Sequence, residues 1–292
     1  MTIKTLSLCF AGAALLASQL AAAAMPNAVV EAVQMPAWVE RGGASIPLAP
    51  GMELQRADQL RTGANAKLLL KLGEGSLVKL GESGMLRLDR LADGNDKVFT
   101  AALNVLQGAF RFTTTALKIQ RRRNINITIA TVTAGIRGTD VWGKAAADRD
   151  IVCLIEGRIE VQCGQDQPIL MAQPMSFYIA PRNAPPLPVA PVDPEQLRQW
   201  AAETEIESGQ GAVRRGGRWK VVVASVDTQE EALKLYDALR AAGYAAGIRP
   251  AIAGEKRIYN VRLTHLRSKA DAEALAGALR GKMGVAEPKV SL

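Results

Sequence analysis

"AKLLLKLGEGSLVKLGESGMLRLDRL", residues 66–91, decides how the first part of the chain folds. Apolar and polar residues alternate, or nearly so, in three short runs with glycines between them. That is the period of a β-strand with one buried face, and the glycines mark turns. The same pattern continues through "GAFRFTTT", "INITIATV", "DIVCLIEG", "RIEVQCG" and "MSFYIA". Strands at short, regular spacing predict an all-β sandwich, roll or barrel over residues 27–180. A hairpin turning at Glu156-Gly157 is expected within "IVCLIEGRIEVQC". In "ATVTAGIRGTDVWG", residues 130–143, Arg137, Gly138 and Thr139 sit between two apolar runs. Gly138 can take turn angles, Arg137 can brace carbonyls or a carboxylate, and Thr139 can hydrogen-bond within the turn. A structural corner is favoured there over a ligand-gripping loop.

Beyond residue 180 the pattern changes. "PRNAPPLPVAPVDP", residues 181–194, reads as a stiff proline-rich stretch that cannot join a sheet. A helix is expected in "PEQLRQWAAETEIES", followed by a flexible basic spacer, "GQGAVRRGG". Residues 181–216 are therefore read as a linker with a short helix. From 217 to 292 strands and helices alternate: "WKVVVASV", "DTQEEALKLYDALRAAG", "YAAGIRPA", "KRIYNVRLTHL", "SKADAEALAGALRGKMG" and "PKVSL". Asp227 and Glu230 have capping-box spacing, and Ser268 suits the cap of the second helix. This segment repeats at an offset of 40: Val221 with Val261, Val223 with Leu263, Ala232 with Ala272, Leu239 with Leu279. Two strand–helix–strand units predict an α+β, ferredoxin-like βαβ-βαβ domain. Val221, Val223, Val261 and Leu263 should face the helices. Lys220, Val222, Asn260 and Arg262 should face outward on an open sheet.

The 292 residues carry 36 Lys and Arg against 28 Asp and Glu, a net charge of +8. A basic protein favours anionic partners, but no basic helix interleaved with aromatics suggests nucleic acid. "MTIKTLSLCFAGAALLASQLAAAAMPNA" has Lys4, an apolar run from Leu6 to Leu20 and then small residues. It reads as a signal peptide, residues 1–24, cleaved near Ala24 in preference to remaining as an anchor. No later stretch is apolar for long enough to span a bilayer, so a periplasmic location is expected for the mature chain. Cys153 and Cys163 would be diagonal neighbours in the expected hairpin, a spacing that favours free thiols over a bridge. A single histidine, His265, leaves no material for a metal site or a Ser-His or Cys-His catalytic set. No cofactor and no enzymatic activity are expected. Glu74, Glu82, Asp89 and Asp93 are read as solvated positions on turns or outer faces. "KIQRRRN", residues 118–124, is the densest basic patch and reads as a solvated loop ahead of an anion contact.

The C-terminal 75 or so residues resemble a SPOR domain, a bacterial envelope module with this size and duplicated fold. Its first strand commonly reads aromatic-x-Val-Gln-x-Gly-Ser-Phe, and here Trp219, Val221 and Ser225 fit. Val222, Ala224 and Val226 stand at the glutamine, glycine and phenylalanine positions. The resemblance implies binding to peptidoglycan, notably glycan strands stripped of their peptides. The glycan-binding candidates on the sheet are Lys220, Val222, Ser225, Ile258, Tyr259, Asn260 and Arg262, with Tyr259 to stack on a sugar ring. Residues 38–165 resemble the FecR domain. "LRTGANAKLLLKLGEGSLVKLGESGMLRLD" supplies its threonine-glycine start and glycine-punctuated strands, and "IATVTAGIRGTDVWGKA" its Arg-Gly-Thr corner. That likeness implies an interaction, scaffold or sensing module whose partners are other envelope proteins.

Overall fold

The computed structural model describes residues 27–94, 98–114, 122–136 and 138–292. The leader at 1–24, residues 118–121 of the basic patch and Arg137 lie outside the described residues. In chain order the strands of the β-rich region begin with β1 (Ala28–Gln34), β2 (Ala37–Arg41), β3 (Ala44–Pro47), β4 (Gln59–Thr62) and β5 (Lys67–Leu72). Next come β6 (Leu77–Leu80), β7 (Met85–Gly94), β8 (Val98–Thr113), β9 (Arg122–Ile129) and β10 (Val132–Ile136). Then follow β11 (Asp140–Ala145), β12 (Arg149–Glu156), β13 (Ile159–Cys163), β14 (Ile169–Met171), β15 (Ser176–Pro181) and β16 (Ala190–Pro191). Helix α1 (Pro194–Thr204) and strand β17 (Val213–Arg214) lead into the last region. There β18 (Trp219–Val226), α2 (Gln229–Ala241), β19 (Gly247–Ala253), β20 (Lys256–Leu266), α3 (Lys269–Leu279) and β21 (Lys289–Ser291) complete the fold.

Two sheets share one core. The first runs β16-β15-β12-β11-β8-β6-β5-β1-β17. The second runs β3-β2-β4-β7-β8-β9-β10-β13-β14. Among the described residues only β8 and β9 pair in parallel. The sixteen-residue β8 serves both sheets: its first half pairs with β7 and β9, its second with β6 and β11. It turns the corner at Gly108, where φ is +85° and a Cβ would meet the Gly84 Cα at 2.7 Å. Only glycine satisfies both demands. Between the sheets lie the alternating residues that the sequence pattern exposes, among them Leu68, Leu70, Val78, Leu80, Leu86, Leu88, Phe110 and Phe112, all buried.

Three expectations are corrected here. β12 and β13 do not form a hairpin: β12 pairs with β11 and β15 in one sheet, β13 with β10 and β14 in the other. Gly157, at φ +89°, lets the chain cross between sheets. Cys153 and Cys163 thus belong to different sheets, and both are free. "INITIATV" is likewise two strands, split at Ala130 (φ +42°). Glu74 is buried, not solvated; it accepts from the Ser76 N–H at 2.6 Å and lies 3.8 Å from the Arg123 guanidinium.

The segment 181–216 packs against the first sheet. β16 joins the sheet edge beside β15, where Pro191's missing N–H costs no ladder bond, although the composition predicts no strand there. In α1, Asp193 caps the helix by accepting from the Glu195 and Gln196 N–H groups, and Pro194 opens it. Trp200 of this helix stacks on Trp142 of β11, centroids 4.7 Å apart, and meets Phe177 edge-on. Cys153 lies buried in the same cluster, and burial pushes its thiol up to about 12. The expected flexible spacer is also ordered, for Gly211, Ala212 and Val213 are buried. β17 pairs with β1 on one side and with β20 on the other.

The C-terminal strands run β21-β18-β20-β19, all antiparallel, the order of the expected ferredoxin-like fold. Val221, Val223, Val261 and Leu263 are buried with Ala232, Leu239, Ala272 and Leu279 of the helices. α3 is capped by Ser268 as expected. α2 is capped by Thr228, whose hydroxyl accepts from the Glu231 N–H, one residue beyond the expected Asp227.

Candidate functional site

Among the described residues no helix covers the face of the C-terminal sheet opposite α2 and α3. Cross-strand partners share a face, so the register fixes its lining. Val222 pairs with Arg262 and with Lys289, Ser225 with Asn260, and Lys220 with Ser291. On the outer side Arg249 pairs with Asn260, Gly247 with Arg262, and Ala251 with Ile258. Lys220, Val222, Ser225, Ile258, Asn260 and Arg262 therefore come together on one face. The Ser225 hydroxyl donates to Asn260 Oδ1 at 2.6 Å, which leaves the Asn260 N–H2 group to a ligand. The Lys220 ammonium donates to the Leu292 carbonyl.

Tyr259 is not on this face. It pairs with Val226, is half-buried and packs against the core beneath the sheet. The reason is strand alternation: Tyr259 has the parity of Val261 and Leu263, and Asn260 that of Arg262. Two basic residues absent from the sequence-based candidates take part instead, Arg249 and Lys289, both exposed. The repeat could have shown Arg249, since β19 must flank β20 in this topology.

Electrostatics distinguish the face further. β18, β19, β20 and β21 contain no Asp or Glu. Lys220, Arg249, Arg262 and Lys289 therefore form a cationic row with no Asp or Glu on the strands that carry it. The acids of this region lie elsewhere, on α2 (Glu230, Glu231, Asp237), on α3 (Asp271, Glu273) and in turns. His265 is exposed, at φ +71°, on an irregular position of β20. Among the described residues no cluster of His, Cys, Asp and Glu could hold a metal ion, and no helix is long and apolar enough to cross a membrane.

The corner at 138–139 is where β10 of the second sheet passes to β11 of the first. Gly138 has φ +74°, and Thr139 is buried, its carbonyl accepting from the Thr114 N–H and hydroxyl at 3.0 and 3.1 Å. A Cβ on Gly157, at the return crossing, would lie 2.5 Å from the Gly138 carbonyl oxygen. The two crossings are thus stacked. Next to them Asp140 receives a two-pronged ion pair from Arg111 at 2.9 and 2.6 Å. This neighbourhood shows packing and internal pairing.

The chain is thus a β-sandwich joined to a ferredoxin-like module with a cationic sheet face. Family comparison gives the parts their names: the FecR protein family matches residues 58–160, and the SPOR domain family matches residues 216–287. The chain has the composition of a FecR-type region followed by a C-terminal SPOR domain, and both families are binding or regulatory modules rather than catalytic ones. No curated protein matches the chain. Two crystal structures of a candidate anti-sigma factor from Parabacteroides distasonis are similar at 15% identity, over 76% of this chain and 89% of that one, with a TM-score of 0.41.

Proposed function

We propose that this chain is an exported, non-enzymatic protein of the periplasmic cell envelope. Its SPOR domain binds glycan strands of peptidoglycan, and its FecR-type region is an interaction or scaffold module for other envelope proteins. The observation that carries the reading is the acid-free sheet face of Lys220, Arg249, Arg262 and Lys289, with Val222, Ser225 and Asn260 between the charges. Hydrolysing the amide that attaches a stem peptide leaves a carboxylate on the glycan. A stripped strand is therefore a chain of anions with hydroxyl and acetamido groups between them. Arg262 and Arg249 suit the carboxylates, and Asn260 suits the neutral groups.

The test is pelleting of the full chain with isolated sacculi, one batch untreated and one amidase-treated to strip the peptides. Selective retention on stripped sacculi, lost in Arg262→Ala, is expected. Equal behaviour of parent and variant, or no retention at moderate salt, would remove the glycan reading.

A second reading, a periplasmic signalling protein whose domains dock other proteins, draws on one observation. Ile169 and Leu170 of β14, with Leu187 and Val189 beside β16, are exposed apolar side chains on strands or segments at open sheet edges. Crosslinking from these positions to an envelope protein, with sacculus binding absent, would favour it.

A further inference from the structure

We infer a second anion site at the junction of the two regions, built to take a phosphate group carried on an aliphatic stem. A cavity of about 430 Å³ opens there, lined by Glu31, Leu69, Lys71, Leu77, Arg214, Arg215 and Arg267 among others. Its residues come from separate parts of the chain. Lys71 and Leu69 lie on β5, Leu77 on β6, Arg214 on β17, Arg215 just after it, and Arg267 just beyond β20. The ladder places them. Ala32 of β1 pairs with both Arg214 and Leu69, and Lys71 pairs with Leu77, so the half-buried leucines form a floor beside the cations.

Four cations thus surround one carboxylate, Glu31. Among the described residues none of the four enters an ion pair. Arg214 spends one N–H on the Ile206 carbonyl at 2.9 Å, which holds the guanidinium in place while its other donors stay available. The larger cleft at the foot of α1, of about 1050 Å³, shows the contrast. There every cation already has a partner: Lys144 with Glu203, Arg182 with Asp150, and Lys67 with the Ala202 and Glu205 carbonyls. At the junction an excess of three positive charges is left without counter-ions. A monocarboxylate would offset one of them. A phosphate monoester is a better match in charge, and its oxygens accept the planar forks of several arginines at once. The leucine floor gives a short alkyl stem apolar surface to cover.

The reading does not depend on glycan binding, because it uses none of the residues on the open sheet face. Its test is the thermal midpoint of the purified full chain titrated with inorganic phosphate and with butyl phosphate. Sodium chloride at matched ionic strength is the control. A saturable rise is expected, tighter for butyl phosphate, with affinity weakened at least tenfold in an Arg214→Gln, Arg215→Gln, Arg267→Gln variant and unchanged in Arg262→Ala. The exposed Lys71→Gln, weakened about threefold, is the second variant if the triple one does not fold. Vesicles containing phosphatidic acid, whose headgroup is a phosphate monoester, against phosphatidylcholine identify the source. Sedimentation of parent but not variant with the anionic vesicles assigns a lipid headgroup, and parent bound to butyl phosphate but not to vesicles assigns a soluble ester. Comparing variant with parent cancels any vesicle binding by residues 1–24. No saturable effect beyond chloride, or equal affinity in parent and variants, overturns the site.

Discussion

The FecR-type region and the SPOR domain use charged side chains in opposite ways. In the β-rich region buried or partly buried acids meet arginines within the fold. Asp58 is held by Arg41 at 2.7 and 2.6 Å, Asp150 by Arg182 at 2.8 and 2.7 Å, and Asp140 by Arg111. Each pair ties together distant stretches of sequence, Asp150 also accepting from the Thr131 N–H and hydroxyl. On the SPOR sheet strands the cations have no Asp or Glu among them, and among the described residues the domain's ion pair is the helical one of Lys269 with Glu273. Charges paired inside a fold hold its shape; charges left unpaired in a row are available to a partner. The difference marks where binding is to be sought, and it can be broken from either side.

The largest effect is expected from Asp150→Ala. Asp150 is 0% exposed, and its loss strands the Arg182 guanidinium and two donors of Thr131. Breaking a buried pair costs about 3–5 kcal/mol, so the urea midpoint should fall by that equivalent while sacculus retention of the surviving folded protein is kept. Trp200→Ala comes next. It removes the stack on Trp142 and the edge contact with Phe177, and should cost about 1–3 kcal/mol through lost burial and ring packing. The measurement is again urea unfolding, with limited proteolysis to detect release of α1.

Cys153 gives a pH-dependent test. Burial raises its thiol from 9.0 to about 12 in the fold. A raised pKa contributes stability that is full below pH 9 and is lost as pH climbs towards 12, because only the unfolded thiol ionises in that window. The parent should therefore lose more stability than Cys153→Ala between pH 8 and 10.5. Alkylation at pH 8 should mark Cys163, which is partly exposed, ahead of Cys153. The smallest effect on stability is expected from Arg262→Ala, within about 0.5 kcal/mol for a surface position, alongside a clear loss of retention on stripped sacculi. A large drop in midpoint there would show that Arg262 is structural and would erase the contrast between the two regions.

The SPOR domain was legible because its pattern is written twice: the offset of 40 aligns Val221 with Val261 and Leu239 with Leu279, and all four are buried. Its cap was ambiguous by one residue, since Asp227 and Thr228 each stand three residues before a glutamate. Of the seven candidates on the sheet, six share one face by register and Tyr259 does not, while Arg249 and Lys289 on that face were not foreseen. Ile258, Tyr259 and Asn260 are consecutive, and a strand cannot present three neighbours on one side. In the β-rich region alternation identified strands but not their sheet. Cys153 and Cys163 look like members of one hairpin because period two is the same whether the chain turns back or crosses over at Gly157. The docking of 181–216 was hidden for another reason. Prolines argue against a central strand, yet an edge position accepts Pro191, and nothing local to Trp200 shows that Trp142 lies opposite.

The bridge formed by β17 has a mechanical consequence. It is two residues long, bonded to β1 through Ala32 and Val33 and to β20 through Leu266. A protein gripped at one end by a rigid wall and at the other by a partner carries tension between its two parts. Much of that load passes through this narrow ladder, assisted by the Trp38 indole on the Ala241 carbonyl and the Gly209 N–H on Asp271. Long ladders such as β7 with β8 share a pull over many bonds, whereas this one has few to share it. Under rising force the seam should part first, leaving both domains folded and the chain between Thr204 and Trp219 paid out as slack.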